Sequence, residues 1–162
     1  MVRGTQFSRE MRRGEEPAVA ALLERAFGGQ AEARLVDRLR RAGDIAGETV
    51  LPSGDGIVGY YAISMMRRPK HWLCLAPVAI DPDWQGMGHG RRMIGLVSEW
   101  ARLSGCYVVV LGQPGFYARA GFSLARAAKL TSPYPVTNTL LAGPGADVPE
   151  QTLIYPKAFE TL

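Results

Sequence analysis

Between an apolar run and an amphipathic run stand the six residues Q-G-M-G-H-G, Gln85 to Gly90, with Arg91 and Arg92 directly behind them. Glycine tolerates positive φ, so such a stretch can curl until several backbone N–H groups converge. The N-terminus of a following helix adds about half a positive charge. This is chemistry for an anion, and for a phosphate group above all. Two nucleotide-binding patterns fail on spacing. A P-loop needs G-x-x-x-x-G-K-[ST], and no Lys here is followed by Ser or Thr. The dinucleotide fingerprint needs G-x-G-x-x-G in a βαβ unit, whereas Gly86, Gly88 and Gly90 recur at every second position.

Other reactive side chains are few. Cys74 and Cys106 form no C-x-x-C pair, and with His71 and His89 as the two histidines no zinc-ligand spacing exists, so no metal is expected. Both thiols fall in predicted strands and read as free, buried and reduced. His71 and Cys74 lie three apart on a predicted strand and so point to opposite faces, which disfavours a covalent cysteine mechanism. His89 reads as a solvent-facing filler of the loop. Glu48, Asp55 and His71 lie near predicted strand ends where each could serve as a general base, and nothing in the pattern selects among them.

The elements that must position these residues follow from periodicity. Residues 5–11 alternate as a half-buried strand does. Residues 15–27 form a helix with Pro17 in its first turn and Gly28 as its stop, and 31–42 form a second amphipathic helix closed by Gly43. Residues 48–51 and 56–66 flank P-S-G-D-G as a hairpin, and 67–70 make a turn. The run 71–80 is a strand in which Pro77, lacking an N–H, places a bulge or a splayed edge. Residues 91–104 form a helix with a broad apolar surface, ended by Gly105, and 106–111 form a buried strand. One or two strands, 138–142 and 151–155, and a loose tail complete the chain. Met65, Met66, Trp72 and Tyr134 either shape an apolar groove or belong to the core.

Composition bounds the rest. The 162 residues fit one domain, 1–162, with a core at about 5–124 and C-terminal strands and tail at 125–162. With 47% hydrophobic and 21% charged residues and a mean hydropathy of -0.03, the chain can bury a core. No apolar run approaches the roughly 20 residues of a membrane span, and the N-terminus carries no secretory pattern, so a cytoplasmic protein is expected. Net charge is +4, distributed as +2 over residues 1–44, +4 over 45–129 and -2 over 130–162. The excess lies around the glycine loop. No aromatic-basic motif or run of like charge accompanies it, so no nucleic acid is expected as partner. The apolar surface leaves a homodimer open.

The stretch L-A-P-V-A-I-D-P-D-W-Q-G-M-G-H-G-R-R-M-I resembles the [QR]-x-x-G-x-[GA] motif of the GNAT superfamily of acyl-CoA-dependent N-acetyltransferases, with Gln85, Gly88 and Gly90 filling it. About thirty residues on, F-Y-A-R-A-G-F (Phe116 to Phe122) resembles the family's Y-x-[KR]-x-G-F. The run V-L-G-Q-P-G-F-Y-A-R-A-G-F and the later Y-P-K-A-F also resemble the YhbS-like subgroup of acetyltransferases. The resemblance spans residues 5–124. It implies an α/β (mixed α+β) fold with a central, mostly antiparallel sheet splayed between strands 4 and 5 and helices on both faces.

It also implies a chemistry. Acetyl-CoA would be the co-substrate, its pyrophosphate held by the loop Gln85, Gly86, Met87, Gly88, His89, Gly90 and Arg91, and its pantetheine arm by strand residues Val78, Ala79 and Ile80. A primary amine, on a small molecule or a peptide, would attack the thioester directly in a ternary complex. The Val78 N–H would face the carbonyl oxygen, and Tyr117 would act as general acid toward the departing thiolate. Tyr117 also fits a core tyrosine, Phe116 a packing residue, and Arg119 either a solvated face or a phosphate contact. The family often has Asn where this chain has Gln113-Pro114, which bears on that end of the site. A non-catalytic acyl-CoA-binding module of the same fold is the alternative.

Overall fold

Which side of a strand a residue occupies decides the architecture. The computed structural model describes residues 5–161; Met1–Gly4 and Leu162, the ends of the expected 1–162 domain, lie outside the described residues. Six strands form one sheet in the order β1-β2-β3-β4-β5-β6: β1 Arg9–Glu10, β2 Ile45–Ser53, β3 Gly56–Met65, β4 Leu73–Ile80, β5 Val108–Leu111 and β6 Thr139–Ala142. All neighbours are antiparallel except β4 and β5, which run parallel. Leu51, Val58, Leu75, Val108, Val110, Leu140 and Ala142 turn to one face, against α3 (His89–Ser104) and α4 (Pro114–Arg119). Val50, Tyr60, Ala62, Cys74, Ala79, Val109 and Leu141 turn to the other, against α1 (Glu16–Phe27) and α2 (Ala31–Ala42). Helices therefore cover both faces, as the resemblance implies.

The helix ends are set by glycine where the sequence places them. Gly28, Gly43 and Gly105 close α1, α2 and α3 at φ 74°, 73° and 76°, a left-handed conformation that other residues adopt at a cost. Among the described residues no helix is long and apolar enough to cross a membrane.

Several boundaries differ from expectation. The strand read at 5–11 reduces to Arg9–Glu10; the backbone still touches β2 through Gln6 and Met11 N–H groups, but Phe7 is 95% exposed, so of the two large apolar residues there only Met11 packs on the core, and partly. β4 begins at Leu73 because His71, at φ 70°, sits in a left-handed turn and is not on the strand at all. α3 begins at His89, two residues early, because Gly88 caps it at φ 82°. β5 begins at Val108, which leaves Cys106 before the strand and only partly buried. Residues 151–155 form no strand: Leu153 and Ile154 bond two different partners, Thr131 and Arg68, so no ladder propagates. The tail is not loose either, since Leu153, Tyr155 and Phe159 are buried against α2.

Candidate active site

The sheet opens in its middle. β4 and β5 pair only at Leu73 with Val108, Cys74 with Val109 and Leu75 with Val110. β5 then ends at Leu111 while β4 continues to Ile80 without a neighbour on that side. On its other side, Tyr61 faces Val78 and Ile63 faces Leu75, so Ala62 alone spans Ala76 and Pro77: this is the bulge expected at Pro77.

An antiparallel ladder alternates residues that bond their partner with residues that do not. Asp81 N–H donates to the Val58 carbonyl at 2.8 Å, which makes Ala79 the next residue of β4 to bond β3. Val78 and Ile80 consequently aim their N–H and carbonyl groups into the opening. The Ile80 carbonyl accepts from Gln85 Nε2 at 3.0 Å, consistent with that direction. Gln85 thus ties the end of β4 to the loop that follows.

That loop bends through Gly86 (φ 79°) and Gly88 (φ 82°). Gly90 is needed for a different reason: a Cβ there would lie 3.2 Å from Phe116 Cζ and 3.4 Å from Ile80 Cγ1. The amides of His89, Gly90 and Arg91 begin α3 and have no carbonyl one turn earlier in the helix. His89, expected in solvent, is 9% exposed, its ring 5.8 Å from that of Trp84. The earlier start of α3 is what turns it inward. Arg92 Nη2 lies 2.7 Å from His89 Nδ1, and a guanidinium only donates, so Nδ1 accepts and Nε2 carries the hydrogen. That buried Nε2 has no partner among the described residues. Burial, and then the Arg92 charge, hold the imidazole below its ordinary pKa and favour the neutral ring.

Tyr117 comes from α4, a short helix started by Pro114. Its ring meets Phe116 edge-on at 4.9 Å and Phe122 at 6.1 Å. Gly112 makes room for it, because a Cβ there would sit 2.5 Å from Tyr117 Cε2. Ser98 of α3 anchors the other end of α4 by donating to the Ala120 carbonyl at 2.6 Å. Burial pushes the Tyr117 hydroxyl up to about 12, with a smaller contribution from Cys74.

Two cavities meet at this tyrosine. The first, about 510 Å³, is lined by Val78, Ile80, Trp84, the loop and α3 start, and Phe116, Tyr117 and Arg119. It gathers Val78, Ile80, Gln85, Gly86, Gly88, His89, Gly90, Arg91 and Tyr117 from the residues expected on sequence grounds. Ala79 and Met87 do not line it: Ala79 is buried toward α1, and Met87 is 47% exposed. Trp84 was not foreseen, although a tryptophan before a glycine loop is a signal for a wall. The second cavity, also about 510 Å³, lies between α1, α2, the bulge of β4 and the C-terminal segment. It shares Val78, Phe116 and Tyr117 with the first, and Tyr134, one of the open cases, lines it, whereas Met66 and Trp72 are core.

None of the three candidate bases lines either cavity. Glu48 accepts from Arg40 Nη2 at 2.7 Å and Tyr60 Oη at 2.6 Å beneath α2, where it holds helix to sheet. Asp55 is exposed in the β2–β3 turn, and His71 is exposed in its own turn. Cys74 is fully buried, its thiol pushed up to about 12 by burial, which removes it as a nucleophile.

A family model described as the acetyltransferase (GNAT) family matches residues 17–122. The chain is 34% identical over 133 residues to the "Uncharacterized N-acetyltransferase YhbS" of Escherichia coli (strain K12), covering 77% of this chain and 78% of that protein. The crystal structure of a GNAT family N-acetyltransferase (YhbS) from Escherichia coli in complex with CoA superposes with a TM-score of 0.81 at 26% identity, covering 99% of this chain and 94% of that one. A GNAT family acetyltransferase from Brucella melitensis in complex with acetyl-CoA gives a TM-score of 0.78 at 26% identity, covering 94% and 97%.

Proposed function

The chain belongs to the GNAT family of acetyltransferases, and from that premise we propose that it moves an acetyl group from acetyl-CoA to a primary amine by direct attack within a ternary complex. The observation that carries this reading is the meeting of the two cavities at Val78, Phe116 and Tyr117, one cavity for each substrate. Residues 1–162 act as one N-acetyltransferase domain in this reading. The similar structures with CoA and acetyl-CoA support the assignment of the first cavity to that co-substrate.

The residues present suit it. Pyrophosphate brings negative charge to the His89, Gly90 and Arg91 amides, to the unpartnered His89 Nε2–H and to Arg91 and Arg119. The pantetheine arm carries amide groups that can pair with the free backbone edge at Val78 and Ile80, as an added strand would. Gln85 holds that edge in place through the Ile80 carbonyl and acts by positioning.

The nitrogen lone pair attacks the thioester carbonyl carbon, and the oxygen becomes an oxyanion. The Val78 N–H, fixed before reaction, donates to it; one such donor is worth about 3 to 4 kcal/mol. The C–S bond then breaks. A hydroxyl held near 12 is a weak acid toward a thiolate whose conjugate acid lies near ~8.5, a gap of about 5 kcal/mol at ~1.4 kcal/mol per unit. Full proton transfer from Tyr117 ahead of bond cleavage is therefore costly. Tyr117 instead donates a hydrogen bond to sulfur as charge develops and releases its proton only as it gains another.

Coenzyme A release from acetyl-CoA in the presence of an amine panel tests the reading. Tyr117→Phe is expected to lower kcat about 10- to 100-fold, the loss of a charge-assisted hydrogen bond of ~1.5–3 kcal/mol, with acetyl-CoA binding intact. A chain that shows no thermal shift with millimolar acetyl-CoA would sink it.

A further inference from the structure

The second cavity has a composition that the catalytic reading leaves unused. Its walls are Phe27, Leu35, Pro77, Leu111, Tyr134 and Phe159, joined by Val78, Phe116 and Tyr117 where it opens on the first cavity. Apart from the two tyrosines, one lining residue is ionisable: Glu32, in the first turn of α2. Glu32 is half-buried, and among the described residues it makes no ion pair. Of the other carboxylates near this face, Glu48 is engaged by Arg40 and Asp81 by Arg25, while Glu160, close enough to Tyr134 to act on it electrostatically, is exposed to solvent.

Resting on the acetyltransferase reading, we propose that Glu32 is the group that receives the acceptor nitrogen and its proton, and that the acceptor is a monoamine carried on an apolar or aromatic body. A mostly apolar pocket of this size with a few convergent polar groups, here Glu32, Gln113 and the two tyrosines, is the usual form of a small-molecule site. One carboxylate compensates one developing positive charge. A second ammonium buried in the same cavity would meet no second carboxylate on its walls, so polyamines and other polycations are expected to be poor acceptors.

The amine enters as the free base, having left one proton to solvent, and donates an N–H to a Glu32 oxygen. When the C–N bond forms, nitrogen becomes cationic and sharply more acidic; the carboxylate interacts more strongly with that cation than with the neutral amine, so it stabilises the transition state over the ground state. Nitrogen passes one proton to Glu32, the C–S bond breaks, and sulfur takes the Tyr117 proton. Tyr117 regains a proton from solvent in the same step, Glu32 gives its own back to solvent, and the sum is amine plus acetyl-CoA giving amide plus coenzyme A.

The test compares 2-phenylethylamine and hexylamine with spermidine and a lysine-bearing hexapeptide, in the wild type, Glu32→Gln and Glu32→Asp, with acetyl-CoA binding followed by thermal shift. The expected result is turnover of the two monoamines above the others, a kcat/KM lower by about 10²-fold in Glu32→Gln, partial recovery in Glu32→Asp, and an unchanged acetyl-CoA shift in all three. Preferred turnover of spermidine or the peptide, or undiminished monoamine turnover in Glu32→Gln, overturns the inference and leaves the acetyltransferase standing. Bound acetyl-CoA with no release to any amine overturns both.

Discussion

At Gly112 one methyl group would reach the ring of Tyr117, since a Cβ there lies 2.5 Å from Cε2 and 3.4 Å from Cζ. Tyr117 is boxed by Phe116 and Phe122 on other sides and has nowhere to retreat without moving α4. Gly112→Ala is expected to displace the hydroxyl, lowering kcat at least as far as Tyr117→Phe does, and to destabilise the fold by roughly 1–3 kcal/mol through overpacking. Steady-state kinetics and thermal melts check both, and a variant with wild-type kcat would show that the tyrosine is not held from this side. The motif residues Gln85, Gly88, Gly90 and Tyr117 were readable in the sequence because their roles are local: a backbone curl, a helix start, a ring on the next helix. Gly112 and Glu32 were not. Gly112 matters through a ring five residues away, and Glu32 sits in the first turn of α2, with nothing near it in the chain to mark it as part of a cavity wall.

Among the elements, β1 and α1 are joined by one charged clamp. Arg9 Nη1 and Nη2 donate to the two Glu15 oxygens at 2.9 Å each, and the Arg12 amide donates to the same carboxylate. The Arg9 hydrogen bonds, followed by the Arg12 amide, draw Glu15 down to about 2. Its unfolded value is ~4.3, so the folded state binds fewer protons between the two; the clamp contributes fully above ~4.3 and is lost as pH falls toward 2. Glu15→Gln is therefore expected to melt below the wild type at pH 6, with the two converging by pH 2. Both side chains are partly in solvent, so the difference is small and shrinks with salt. A constant gap across that range would assign the effect to packing. The helices of this part of the chain were legible to within a residue because glycine punctuates them. The strand ends were not, since a turn such as the one at His71 is decided by φ and not by side-chain pattern.

For the molecule as a whole, the mostly antiparallel sheet and its split between β4 and β5 came from motif resemblance; the sequence pattern supplied the bulge at Pro77, and only the three-dimensional arrangement supplied the strand order and the second cavity. Charge follows the same division. The basic excess of residues 45–129, expected around the glycine loop, divides: Arg91 and Arg119 line the first cavity, but Arg67, Arg68, Lys70 and Lys129 line a separate open groove, so composition located the anion site only in part.

An ordinary open sheet has two rims, and β1 and β6 are the rims here. By parting after Leu75 and Val110 this sheet acquires two more, facing each other across its own interior. Its least protected amides should then lie at the centre of the fold: Val78 and Ile80 are expected to exchange hydrogen faster than Ala79 between them, and to slow on addition of acetyl-CoA, as read residue by residue by NMR. Equal protection at all three would refute the alternation. Rims are where stray strands add and aggregation begins. A rim enclosed by Phe116 and Tyr117, and in the proposed function covered by a ligand, is closed to stray strands, so the opening does not become a liability toward other chains.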